Sequence, residues 1–148
     1  MSGKKNVLIG IVVALVAIQF VQIDKKNPEY DHSQSFEVLE EEGNDNIAIL
    51  VDACYDCHSY ETEYPWYTYI QPVGWWVRGH IRGGRNKLNF SEWGKLSQQE
   101  REHNFHEMAE EVIGGMMPPQ GFVNMHPEAE ISEKDQTALI QWLRAKIN

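Results

Sequence analysis

From Val7 to Ile23 the chain has no charged residue, and the run NVLIGIVVALVAIQFVQI lies between Lys4 and Lys5 on one side and Asp24, Lys25 and Lys26 on the other. A helix of this composition is apolar all round, which suits lipid rather than one side of a soluble core. Seventeen residues, at about 1.5 Å each, span roughly 25 Å, a little less than a bilayer core of about 30 Å. Flanking lysines can snorkel to cover the difference. No A-x-A pattern follows the run, so residues 1–23 read as a retained signal-anchor, a single N-terminal transmembrane helix, rather than a cleaved signal peptide. Lysines stand on both sides, so the positive-inside rule leaves the orientation nearly balanced.

Downstream the period changes to that of amphipathic helices. Ile47, Leu50, Val51 and Cys54 share one helical face, and Asn44 or Asp45 is placed to cap it. The segment WWVRGHIRGGRN reads as a short helix stopped by Gly83 and Gly84. Ser97 opens a longer helix with Phe105, Met108, Ala109 and Val112 on one face, ending at Gly114 and Gly115. Ser132, with Asp135 three residues on, opens the last helix, whose apolar positions are Leu139, Ile140, Leu143 and Ile147. The stretches SYETEYPWYTYIQPVG and MMPPQGFVNMHPEAEI read as loops. No alternating run is long enough for a sheet, so the expected class is all-α.

Charge sharpens the domain plan. Asp24, Glu29, Asp31, Glu37, Glu40, Glu41 and Glu42 face only Lys25 and Lys26, so residues 24–44 are expected to form a solvated acidic linker and residues 45–148 the folded domain. The net charge of -9 argues against nucleic acid, which needs clustered Lys and Arg. It suits a partner with a basic docking surface. Five Trp, six Tyr and five Phe can fill a small core or wrap something flat and apolar.

The only two cysteines fall in DACYDCHSY, with His58 immediately after Cys57. A structural zinc cage needs four ligands, and there is no second Cys pair. A thioredoxin-like dithiol needs a strand before the motif, where this chain reads as helix. A disulfide between residues three apart would be strained and would leave His58 unexplained. The favoured reading is Cys-x-x-Cys-His haem attachment. Thiols at i and i+3 on a helical turn lie to one side, where each can meet one vinyl group of a porphyrin. The next residue is rotated by about 100°, which lets its imidazole reach the iron.

CYDCH at the end of a helix, Met-Pro in a late loop and a closing amphipathic helix resemble monohaem cytochrome c. CYDCHSYETEYPWYTYIQPVGWW, LNFSEW and MHPEAEIS resemble more closely the bacterial haem-binding-domain family, over roughly residues 45–147. The resemblance implies a cytochrome c-like domain with one haem c attached covalently through Cys54 and Cys57, its iron held by His58, on the periplasmic side of the inner membrane. It also points to Met117, just before Pro118, as the second axial ligand, with Met125 the runner-up. The physical argument agrees, since a proline-stiffened loop holds a soft thioether at little entropic cost. Met116, His80, His103, His106 and His126 are the other candidates. His103 and His106 read as solvent-exposed, and His126 as capping a turn. Tyr64, Pro65, Trp66, Tyr67, Trp75, Trp76 and Phe90 are candidate ring-covering residues. Arg78, Arg82, Arg85 and Lys87 are candidate partners for the propionates.

The expected role is a membrane-anchored electron carrier rather than an enzyme, exchanging single electrons with redox partner proteins, alone or as a subunit of a larger membrane complex. The competing expectation is a haem sensor or peroxidase-like domain with an open or displaceable sixth position. The two differ in spin state and in carbon monoxide binding.

Overall fold

The computed structural model describes residues 2–40 and 45–147. Among these residues there are helices and turns and no β-strand, so the chain is all-α. Helix α1 is Ser2–Ile18, α2 is the single turn Phe36–Leu39, α3 is Asp45–His58 and α4 is Val73–Lys87. Then come α5 (Gln98–Ile113), the short α6 (Gln120–Val123) and α7 (Glu133–Ala145). One-turn 3₁₀ segments at His32–Gln34, Trp66–Tyr69 and Pro127–Ala129, and a longer one at Phe90–Lys95, carry the chain between them.

The two best-capped helices match their sequence signals. Ser97 Oγ accepts from the Glu100 backbone N–H while the Glu100 carboxylate accepts from the Ser97 N–H, a complete capping box at the start of α5. Ser132 Oγ accepts from the Asp135 N–H at the start of α7. Phe105, Met108, Ala109 and Val112 on α5 and Leu139 and Leu143 on α7 are buried, and the two helices pack face to face. Helix α3 packs on both α4 and α7, burying Ile47 and Leu50. Val51, expected on that face, points outward, and Asn44, one of its two candidate caps, lies outside the described residues. Ile147 lies beyond the end of α7, packed against the core only in part.

Three features differ from the sequence reading. First, the apolar run 7–23 is not one helix. Gln19 ends it by turning its amide into the body: Nε2 donates to the Leu15 and Gln71 carbonyls, each at 2.9 Å, and Oε1 accepts from the Gln71 N–H, also at 2.9 Å. Ile23 is buried in the body. Helix α1 is thus 17 residues long, and among the described residues no helix is long and apolar enough to cross a membrane.

Second, residues 24–40 are not a free tether: 24–33 are mostly exposed but fastened by side-chain bonds such as Asn27 to the Thr62 carbonyl, and Ser35, Phe36 and Glu40 are buried. Phe36 is fully buried, with ring centroids of Trp93, Phe90, Phe105 and Trp142 at 4.8, 4.9, 5.9 and 6.1 Å. Two of its acidic residues have partners in the body: Glu37 accepts from the Tyr55 hydroxyl at 2.6 Å, and Glu40 accepts from Trp93 Nε1 at 2.9 Å and pairs with Lys146 at 3.0 Å. Glu41 and Glu42 lie outside the described residues.

Third, α4 runs straight through Gly83 and Gly84 to Lys87. The weak helix propensity of glycine loses here to packing. A Cβ on Gly84 would stand 2.6 Å from the Cys57 carbonyl oxygen, so glycine is what lets α4 and α3 close on each other.

Candidate functional site

Helix α3 carries Cys54 and Cys57 on its last turn and ends on His58. Ser59 stops it, its N–H and Oγ both donating to the Tyr55 carbonyl. Both cysteines are free and partly buried. Burial pushes the Cys54 thiol up to about 12, helped by the neighbouring Cys57, and the Cys57 thiol up to about 11, helped by Asp56. Such thiols stay protonated near neutrality, unlike the low-pKa cysteine of a dithiol oxidoreductase. Nor is there a zinc cage: among the described residues the one group bringing three metal-ligand atoms within 4.8 Å is His32, Glu37 and Glu61, away from the cysteines in the sequence.

His58 is mostly enclosed, and burial holds its imidazole below the usual value, in the neutral form. Its Nδ1 lies 3.1 Å from the Leu88 carbonyl oxygen. A carbonyl can only accept, so Nδ1 carries the proton and Nε2 keeps its lone pair for a metal. Leu88 is placed by the end of α4, its N–H closing on the Gly84 carbonyl.

Cys54, Cys57 and His58 all open onto one mostly apolar cavity of about 770 Å³, within the ~300–1,000 Å³ range of cofactor sites. Helix α4 lines it with Trp75, Trp76, Gly79, Gly83 and Lys87, and α5 with His103, Glu107, Met108 and Glu111. Gly79 and Gly83 are one turn apart, and a Cβ on either would meet nothing within 4 Å, so the α4 wall is a shallow trough.

Met117 lines this cavity; Met116 and Met125 do not, and are 66% and 52% exposed. The loop is fixed where α5 ends. Gly115 takes φ +64°, a left-handed turn that glycine makes without cost, and the Met116 and Met117 N–H groups donate to the Glu111 carbonyl at 3.0 and 3.2 Å.

The remaining candidates separate clearly. His80 lines the cavity with Nδ1 donating to the Trp76 carbonyl at 3.1 Å. His103 is exposed, as expected, but stands on the cavity rim, while His106 is exposed and outside it. Both nitrogens of His126 are engaged, Nδ1 with Glu128 at 3.0 Å and Nε2 with the Tyr67 hydroxyl at 2.7 Å, so it pins a loop. Of the aromatic candidates, Trp75, Trp76 and Phe90 reach the cavity; Tyr64, Pro65, Trp66 and Tyr67 do not. Of the basic residues only Lys87 lines it. Arg85 is instead a strut, donating to the Ser59 carbonyl at 2.7 Å, Thr62 Oγ1 at 2.9 Å and Asn27 Oδ1 at 3.1 Å. Arg78 reaches the Asp24 carbonyl at 3.5 Å.

Sequence reasoning missed the Gly79/Gly83 trough and the lining by Pro119 and Phe122, and it read Met108 as part of a buried helix face without placing it on the cavity. The spacing of the glycines at i and i+4 was the available signal for the trough. Leu88 acts through its backbone and offers none.

The donor set suits a haem. Two thiols and a metal-ready imidazole stand on one wall, the trough leaves room for a flat ring, and a thioether comes from another loop onto the same space. No curated protein and no solved structure matches the chain. The haem-binding domain family model matches residues 13–145, and the chain belongs to that family.

Proposed function

We propose that the chain is a membrane-attached monohaem c-type cytochrome that passes single electrons between redox partners on the periplasmic side of the inner membrane. The observation that carries this reading is the convergence of Cys54, Cys57, His58 and Met117 on one cavity, with the His58 tautomer set by Leu88. When bound, the haem supplies a one-electron iron couple. The protein's part is to hold it. Cys54 and Cys57 would hold its ring through two thioether links. His58 Nε2, oriented by its own Nδ1–H, would hold the iron, and the Met117 thioether, a neutral donor that favours the reduced state, would hold it as well. The apolar walls keep water from the ring and limit the charge reorganisation that accompanies each transfer.

Helix α1 supports the membrane part of the reading: its large apolar side chains from Val7 to Val16 are exposed on every side, which lipid would relieve. The excess of acidic residues suits a basic partner, with association that weakens as salt rises. The chain works as a carrier or as a subunit of a larger membrane complex, and not by turning over a substrate.

The test is a pyridine haemochrome spectrum of the denatured protein, made in a host competent for c-haem maturation. A c-type spectrum that persists through acid–acetone extraction, and is lost in the Cys54→Ala/Cys57→Ala variant, is the expected result. Absence of covalent haem would sink the proposal. A high-spin native spectrum with free carbon monoxide binding would keep the haem but replace the carrier with a ligand-binding domain.

A further inference from the structure

Where α1 joins the body, Phe20, Trp66, Tyr69, Ile70 and Trp76 are between 47% and 85% exposed. Isolated apolar side chains on a surface need no explanation, but these are tied to one place. Gln22 Nε2 donates to the Tyr69 carbonyl at 3.1 Å, Trp75 Nε1 to the Val21 carbonyl at 2.9 Å, and Gln19 exchanges two hydrogen bonds with the Gln71 backbone. Lys25 Nζ lies 3.9 Å from the centre of the Tyr69 ring. The segment from Tyr69 to Trp75 is thereby drawn up against residues 19–25, beside the point where α1 leaves the body, with Trp66 and Trp76 flanking it in the chain.

We infer that the body lies directly on the bilayer, with Trp66, Tyr69, Ile70 and Trp76 seated at the boundary between lipid headgroups and acyl chains. The inference rests on the reading of α1 as the membrane segment. Three observations carry it. The patch is continuous with a helix whose apolar side chains, 49–65% exposed from Val7 to Val16, have lipid as their natural neighbour. The rings are of the type that suits that boundary, an apolar body with a polar tip, and a lysine stands among them. Residues 24–40, which would have to be slack for the body to stand off, are fastened to it where Asn27 bonds Thr62 and Arg85 and where Phe36 is buried. Because Trp75 and Trp76 also line the cavity, its α4 rim is held at membrane level. A redox partner then meets that rim from within or along the membrane.

The full haem-bearing chain is reconstituted in vesicles of phosphatidylcholine and phosphatidylglycerol. The lipids carry a photoreactive diazirine either beside the glycerol backbone or at the acyl terminus, and adducts are mapped by peptide mass. The glycerol-level probe is expected to mark residues 19–22 and 64–78, and the chain-end probe α1 alone. In a Trp66→Ser/Tyr69→Ser variant, labelling of 64–78 falls several-fold while the haem spectrum is unchanged. If the probes mark α1 and leave 64–78 unmarked, the inference is overturned and the anchor stands. If neither probe marks α1 or 64–78, both fall together.

Discussion

In the proposed function, the 3.1 Å contact from His58 Nδ1 to the Leu88 carbonyl decides which nitrogen can meet iron, and the cavity lining limits which other donors can reach it. Met117 and Met125 sit in the same stretch of chain, yet only Met117 reaches the cavity. Met117→Ala is expected to abolish the weak far-red sulfur–iron band of the ferric protein and to move the midpoint potential negative, by a fraction of the ~0.8 V that axial ligation spans. Met125→Ala is expected to change neither. Optical spectra and a redox titration of both variants check this, and an unaltered Met117→Ala spectrum would pass the ligand to Met108, His80 or His103, the other donors on the walls. That Cys54, Cys57, His58 and Met117 share one cavity was legible from few residues, the first three because they stand together on the end of one helix and Met117 because of the proline after it. The orienting carbonyl of Leu88 was not legible, because any residue there would supply the same oxygen.

Among the elements, α5 and α7 could be read because cap, period and terminator agree, whereas α4 could not, because its glycines carry two meanings. Read locally, Gly83 and Gly84 stop a helix. In the fold, Gly84 is a contact and Gly83 an opening. Gly84→Ala would set a methyl 2.6 Å from the Cys57 carbonyl, and backbone on both helices would have to move. A cost of about 1–3 kcal/mol follows, a fall in melting temperature of about 2–4 °C for each kcal/mol in a chain of this size. Gly83→Ala meets nothing within 4 Å and gains up to ~1 kcal/mol of helix propensity. Adjacent glycines in one helix are thus expected to respond with opposite sign in thermal unfolding of the haem-free protein. Because Cys57 is a haem attachment point in the proposed function, Gly84→Ala is also expected to lower the yield of covalent haem per chain, read as the ratio of Soret to protein absorbance.

Over the whole molecule, the boundary drawn at residue 44 from charge alone is where the sequence was least informative. Acidic side chains mark a solvated tether only when they are solvated, and here Glu37 and Glu40 are bound to Tyr55, Trp93 and Lys146. Phe36, the one buried aromatic of residues 24–40, joins that segment to α5, α7 and the Phe90–Lys95 turn. The two views of this segment predict different outcomes for Phe36→Ala. On a tether the change would be within about 0.5 kcal/mol of neutral. In the core it leaves a cavity between Phe90 and Trp93 and costs about 3–5 kcal/mol, a large part of the roughly 5–15 kcal/mol that holds a domain together. Denaturant unfolding of the mature protein, followed at the Soret band, is expected to show the midpoint falling with the slope unchanged. Because Phe90 packs on Phe36 and also lines the cavity, the variant is expected to loosen the haem surroundings as the core weakens. A neutral result would return residues 24–40 to a tether and, with it, remove one of the observations on which the proposed seating of the body on a bilayer rests.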